Sequence, residues 1–302
     1  RHNRSMRQTS SVTALAALAA LTNASVWGFS WYPLKWLEAH GIASLWATTF
    51  VFGASALAVL AARPAAARAL WLHRGALGWM VFAAGMTNAC FNTALATGDV
   101  VRSVLLFYLM PMWVVGLARW LLAEPITLAA LARTALALAG AMLVLGDGQL
   151  RMPLPDSWSD ALAIAAGFFF GLNNVLLRKH AATPQEARAF GMFIGAVVIA
   201  PMVIAGMAII GKPLLLSPQP VAWLVIGLFT VAVLIGNLAL QYGAAHLPAN
   251  VLSVLMLAEI LVATLSSWLA GAASITQGVV LGGACIVCAS VLAIFTGRNS
   301  AA

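Results

Sequence analysis

Apolar residues run along this chain in long uninterrupted blocks, and polar residues are confined to short punctuation between them. A bilayer core of ~30 Å needs roughly 20 apolar residues per helix. Ten blocks of that length can be marked, at 12–33, 43–62, 76–97, 103–122, 126–146, 159–177, 189–210, 221–244, 249–270 and 276–295. Their continuity predicts helices, because the strands of a transmembrane barrel alternate over short segments. The turns between them carry the helix-breakers, among them Pro64, Pro153, Pro155, Pro184, Pro213, Pro218, Pro220 and Pro248.

The pattern repeats. At an interval of 149 residues Gly78 meets Gly227, Asn88 meets Asn237, Asn92 meets Gln241, Thr127 meets Thr276 and Gly148 meets Gly297. The first and sixth blocks match at an interval of 143, which pairs Trp27-Gly28 with Phe170-Gly171 and Lys35 with Arg178. The change in interval is what a difference in loop length produces. The expected architecture is therefore an all-α membrane protein, ten transmembrane helices in two five-helix repeats, 1–150 and 151–302. Five is odd, so the second repeat would enter the membrane in the opposite sense. Inverted repeats characterise secondary transporters, which bind substrate near the midplane between the repeats.

Composition agrees with a lipid-solvated chain: 63% of residues are hydrophobic and 8% charged, against about 25% charged in soluble domains. The net charge of +8 would suggest nucleic acid on a soluble protein. Here the basic residues follow topology. Lys35, Arg102, Arg151 and Lys212 fall on one side of the expected membrane, and the other twelve of the sixteen Lys and Arg fall on the opposite side. The positive-inside rule then places both termini in the cytoplasm. No nucleic-acid partner is expected. Cys285 and Cys288 have redox-motif spacing without a soluble context, and with Cys90 they read as packing residues. The five histidines lie in loops or tails and form no ligand cluster, so neither a metal nor a cofactor is expected.

The candidate chemistry lies in the few polar residues inside the blocks, since such residues usually face a bundle interior or cavity. Asn88 and Asn92 are four apart and share a helix face; Asn237 and Gln241 repeat the pair. Amides suit both the ammonium and the carboxylate of an amino acid; interhelical hydrogen bonding is the alternative role. Asn23, Trp27 and Ser30 form a stripe on the first helix, with Phe170, Asn173 and Asn174 its counterpart on the sixth. Pro111 should bend the fourth helix and free a carbonyl near residue 107, with Tyr108 and Trp113 beside it as pocket candidates. Glu259 is the one acid near the middle of a block, with no Lys or Arg at its depth. It is a candidate to bind a substrate ammonium, carry a coupling proton, or hydrogen-bond a neighbouring helix. Arg102, Asp99 and Asp147 read as interface residues. Glu124, before Pro125, reads as a structural acid at the start of the next helix.

Several of these runs resemble a known family. Trp27-Gly28 with Lys35, and Leu109-Met110-Pro111 through Ala123-Glu124-Pro125, are similar to signatures of the drug/metabolite transporter superfamily in its ten-helix, EamA-type form. Leu257-Ala258-Glu259 resembles the second-half version, with Ile260 where proline is usual and Ala273 where Glu124 would have its match. The resemblance implies a bacterial inner-membrane carrier that exports amino acids, aromatic and other apolar ones included; the same fold moving a purine, drug or sugar derivative is the neighbouring reading. An intramembrane enzyme would need paired aspartates, a Ser/His pair or a metal motif within the spans, and the residues supply none. The expected partners are thus a small-molecule substrate and the lipid bilayer.

Overall fold

The computed structural model of the chain describes residues 2–146 and 154–299. Asp147, Gly148, Arg151 and Pro153, all named above, lie outside the described residues. Among the described residues the regular structure is helical apart from one isolated bridge between Ile42 and Leu216.

The helices, in chain order, are α1 (His2–Phe29), α2 (Trp31–Ala39), α3 (Ser44–Ala62), α4 (Ala66–Leu72), α5 (Arg74–Thr97), α6 (Val100–Phe107), α7 (Met110–Leu122), α8 (Leu128–Leu145), α9 (Trp158–Lys179), α10 (Gln185–Ile209), α11 (Pro220–His246), α12 (Ala249–Met256), α13 (Ala258–Leu269) and α14 (Gln277–Asn299). Nine segments among the described residues are long and apolar enough to cross a membrane, which gives the chain the character of a multi-pass membrane protein. The sequence pattern predicts ten. The difference is α5: at 24 residues it is about 36 Å long by the helical rise, yet it is absent from the nine. Its Thr87, Asn88, Asn92, Thr93 and Thr97 dilute its hydropathy. The short α4, unforeseen in the sequence, exposes Trp71 and Leu72, with the Arg74 guanidinium 4.6 Å over the Trp71 ring.

The interval of 149 residues recurs in the helix boundaries. α6 and α12 start at 100 and 249, α8 and α14 at 128 and 277, and α5 and α11 end at 97 and 246. Packing follows the same correspondence. α9 lies against α5 and α7, while α1 lies against α11 and α13.

Besides the joint between α1 and α2 at Ser30, two spans are broken near their middle. The first breaks at Tyr108–Leu109, where Pro111 in the first turn of α7 cannot donate to the carbonyl of Phe107. The sequence suggests that this carbonyl faces a cavity. It instead packs against α9, where a Cβ on Gly167 would stand 2.4 Å from it; only glycine lets the two backbones meet. The second break, at Leu257, has no proline. Leu257 N–H bonds to Val254 O at 3.1 Å and Ile260 N–H to Leu257 O at 3.1 Å, so the turn tightens to i−3 bonding and the helix restarts at Ala258. Gly28 of α1 seats on this second break, where its Cβ would lie 2.7 Å from Glu259 O.

The two ends of the bundle are held differently. At one end Arg102 binds Asp160 (Nε to Oδ2, 2.8 Å) and Asp156 (2.9 Å), and Asp99 caps α6 through Arg102 N–H at 2.8 Å. At this end too, the turn after α2 joins the turn before α11. Ala43 N–H bonds to Leu215 O, Ser217 N–H to Gly41 O and Gln219 N–H to His40 O, with Gly41 at φ +89°. At the other end Glu124 corrects its expected role. Thr127, not Glu124, caps α8. Ala123 turns left-handed at φ 56° and sends the Glu124 carboxylate back to the bundle. There Oε1 accepts from Arg178 Nε at 3.2 Å and from Ala249 N–H at 3.1 Å. Arg178 also donates to Ala245 O at 3.2 Å. One acid thus ties α9 to the junction of α11 and α12.

Candidate functional site

A cavity of about 120 Å³ lies between these two ends. Helices from both halves of the chain wall it. α5 supplies the largest share of the lining, including Thr87, Asn88, Phe91, Asn92 and Leu95; α1 gives Trp27; α9 gives Phe170 and Asn173; α11 gives Asn237; and α13 gives Glu259. It runs from Glu259 and Asn237 toward Leu34, Thr48 and Leu95, that is, toward the end where α5 stops and α3 starts.

The broken helices explain why polar groups sit at this depth. A break exposes the first turn of a new helix, whose N–H groups carry partial positive charge. Glu259 falls in the first turn of α13, the place where a carboxylate is best tolerated. Tyr108, at the other break, is its side-chain neighbour through the phenol hydroxyl. The two interruptions therefore meet, one presenting an acid and the other a hydroxyl.

The amides are fixed by their own helices. Asn88 Nδ2 donates to Ala84 O at 3.0 Å, Asn92 Nδ2 to Asn88 O at 2.8 Å, and Asn237 Nδ2 to Val233 O at 2.9 Å. This i−4 back-bonding orients each side chain, and each amide oxygen is left with no protein partner among the described residues. Asn92 Nδ2 also reaches Thr48 Oγ1 at 3.5 Å, which links α5 to α3. Asn173 is buried and its Oδ1 has no partner. Around these groups stand aromatic faces: Trp27 lies 6.3 Å from Phe52, and Phe107 lies 4.7 Å from Phe91 and 5.6 Å from Phe170, centroid to centroid.

Of the ten candidate residues, the cavity gathers Trp27, Asn88, Asn92, Asn173, Asn237 and Glu259. Four stand elsewhere. Tyr108 is buried in the core outside the lining, against two residues that do line the cavity, Phe107 and Glu259. Trp113 points away; it is 39% exposed and meets Phe168 edge-on, because α7 turns that face outward after the break. Asn23 and Gln241 are fully buried and outside the lining. Sequence reasoning missed Thr48, Thr87, Phe52, Phe91 and Phe229. The threonines carried a weak signal, as hydroxyls inside apolar blocks; the phenylalanines carried none, being ordinary core residues in composition. Among the described residues no group of three His, Cys, Asp or Glu is placed to hold a metal ion.

A site of amides, aromatics and one acid between broken helices can now be set beside known proteins. Residues 14–146 match the EamA-like transporter family. That match covers the first repeat as drawn from the sequence. No curated protein matches the chain. One solved structure, described only as "Crystal structure of protein", aligns with a TM-score of 0.75 at 21% identity, over 94% of this chain and 98% of that one. At that identity the likeness is one of fold, and it extends through both halves.

Proposed function

We propose that the chain is a secondary transporter of the drug/metabolite superfamily that moves amino acids, aromatic and other apolar ones, out of a bacterial cytoplasm across the inner membrane. α5 is its tenth span. Three of the residues that make α5 less apolar, Thr87, Asn88 and Asn92, line the cavity, so much of its hydropathy deficit and its place in the site have one cause. Two five-helix units of opposite sense then enclose the site, consistent with the recurring boundaries and the exchanged packing of α1 and α9. Both termini lie on the cytoplasmic side in this reading.

The observation that carries the proposal is the lining itself. Glu259 suits an α-ammonium; the amides of Asn88, Asn92, Asn173 and Asn237 suit either end of the zwitterion; and Trp27, Phe52, Phe91 and Phe170 suit an apolar or aromatic side chain. Among carriers of this kind, the run Tyr108-Leu109-Met110-Pro111 and the overall layout look most like YddG, the bacterial exporter of aromatic and other amino acids. The site provides no paired acids and no nucleophile beside a base, so binding and release are the chemistry it supports. The protein alternates between forms open to one side and then the other, by rocking of the two units about the cavity.

The test is uptake of a radiolabelled amino-acid panel into proteoliposomes, with and without a proton gradient. Accumulation of Phe, Trp or a branched aliphatic amino acid above empty liposomes is the expected result. No uptake of any amino acid, with uptake of a purine or sugar derivative, would reassign the substrate.

A further inference from the structure

Three helices run from the cavity toward the Glu124–Arg178 end, and each carries a buried amide just beyond its lining residue. On α11, Asn237 lines the cavity, Gln241 follows one turn later, and Ala245 one turn after that offers its carbonyl to Arg178. On α9, Asn173 lines the cavity, Asn174 follows, and Arg178 comes one turn further. On α1, Trp27 lines the cavity and Asn23 stands one turn nearer the same end. The helices α1 and α11 run antiparallel, since Gly236 meets Val26 and Gly243 meets Ala20; Asn23 therefore lies at the depth of Gln241.

These three amides are 0–1% exposed, and all six of their side-chain polar atoms lack a partner. An unpaired buried polar atom costs ~1–3 kcal/mol, so three unpaired amides at one depth need a reason. Packing does not supply it, because leucine would fill the same space without the penalty. Hydration in another conformation does.

We propose that Asn23, Asn174 and Gln241 line the closed half of the solute path, which the Glu124–Arg178 bond seals in this conformation and which becomes wet when that end opens. The inference rests on the transporter reading and extends its site: the same zwitterion-binding amides continue past the cavity floor. The seal is lopsided. Lys35 and Ala273 stand where an equivalent pair would lie at the opposite end by the repeat intervals, and Lys35 is instead set over the Trp31 ring at 5.8 Å. The cavity extends toward that end, which lacks the equivalent pair.

The experiment uses the full chain in liposomes with Cys90, Cys285 and Cys288 replaced by Ala. Single cysteines are placed at Asn88, Gln241 and Asn174, and an impermeant maleimide is added from either side. Asn88→Cys should label from the cavity side. Gln241→Cys and Asn174→Cys should resist both sides, then label from the opposite side about tenfold faster when Glu124→Gln or Arg178→Gln breaks the seal. In parallel, Gln241→Leu should keep or raise thermal stability while cutting transport at least about tenfold, a split that a packing residue would not give. Labelling of Gln241→Cys from the same side as Asn88→Cys, continued resistance in both seal variants, or a Gln241→Leu protein that transports normally would overturn the inference. Failure of the parent protein to move any amino acid would instead defeat the amino-acid reading, and the sidedness of labelling would still be readable.

Discussion

The two broken spans reach the same shape by different routes. In α6–α7 the interruption is written in covalent chemistry: Pro111 removes a donor, and the Phe107 carbonyl is left over. In α12–α13 there is no proline, and the interruption at Leu257 is held from outside by Gly28 of α1. The counterpart contact, Gly171 against Met110 and Val114, is looser, its nearest approach being 3.1 Å to a side-chain methyl. A helix with full bonding capacity thus breaks where a neighbouring backbone occupies its groove, whereas at the proline break the neighbour's close glycine, Gly167, receives the carbonyl that Pro111 has freed.

The largest effect should come from the contacts that meet backbone. Gly167→Ala and Gly28→Ala each drive a methyl into a carbonyl at a break, at 2.4 and 2.7 Å, and should cost about 3 kcal/mol or abolish expression. Gly171→Ala, which meets only a movable methyl, should cost less than about 1 kcal/mol; thermal unfolding in detergent ranks the three. Next, Glu259→Gln should leave folding intact and remove the pH dependence of transport in proteoliposomes. Unchanged flux and unchanged pH dependence would take Glu259 out of the mechanism. Tyr108→Phe removes the hydroxyl beside Glu259 and should lower stability by about 1 kcal/mol, with a measurable loss of flux. Smallest of all, Pro111→Ala should shift stability by less than about 1 kcal/mol, because the second break shows that this turn stands without proline. A large loss would mean that the two breaks are not equivalent after all.

The sequence revealed the spans well because burial in lipid imposes one period and one length on every block. Its limits have identifiable causes. The block at 76–97 was legible as a helix, and α5 forms there, yet its amides and threonines keep it out of the nine segments apolar enough to cross a membrane. The second break was invisible, since Ile260 and its neighbours have no local reason to interrupt a helix; the reason is Gly28, more than two hundred residues away in the chain. In the site, the i, i+4 spacing of Asn88 and Asn92 put both on one face, which the cavity shares. The same spacing put Gln241 on the face of Asn237 but one turn beyond the cavity lining, because spacing gives a face and not the depth at which a cavity ends. Trp113 was misjudged for a related reason: the break before α7 resets the helix phase. Glu124 looked like the start of α8 because Pro125 follows it, whereas the left-handed Ala123 redirects it to another helix altogether.

The splice between the turns after α2 and before α11 has a mechanical consequence. Its three main-chain bonds, and a Gly41 so close to Ser217 that a methyl would stand 2.1 Å from the carbonyl oxygen, leave no slack between those turns. α3 and α11 both begin there and pack against each other. Such a fastening would act as a pivot: any swing separating the two helices would grow with distance from it, widest at Ala62 and His246 and least at Ser44 and Pro220.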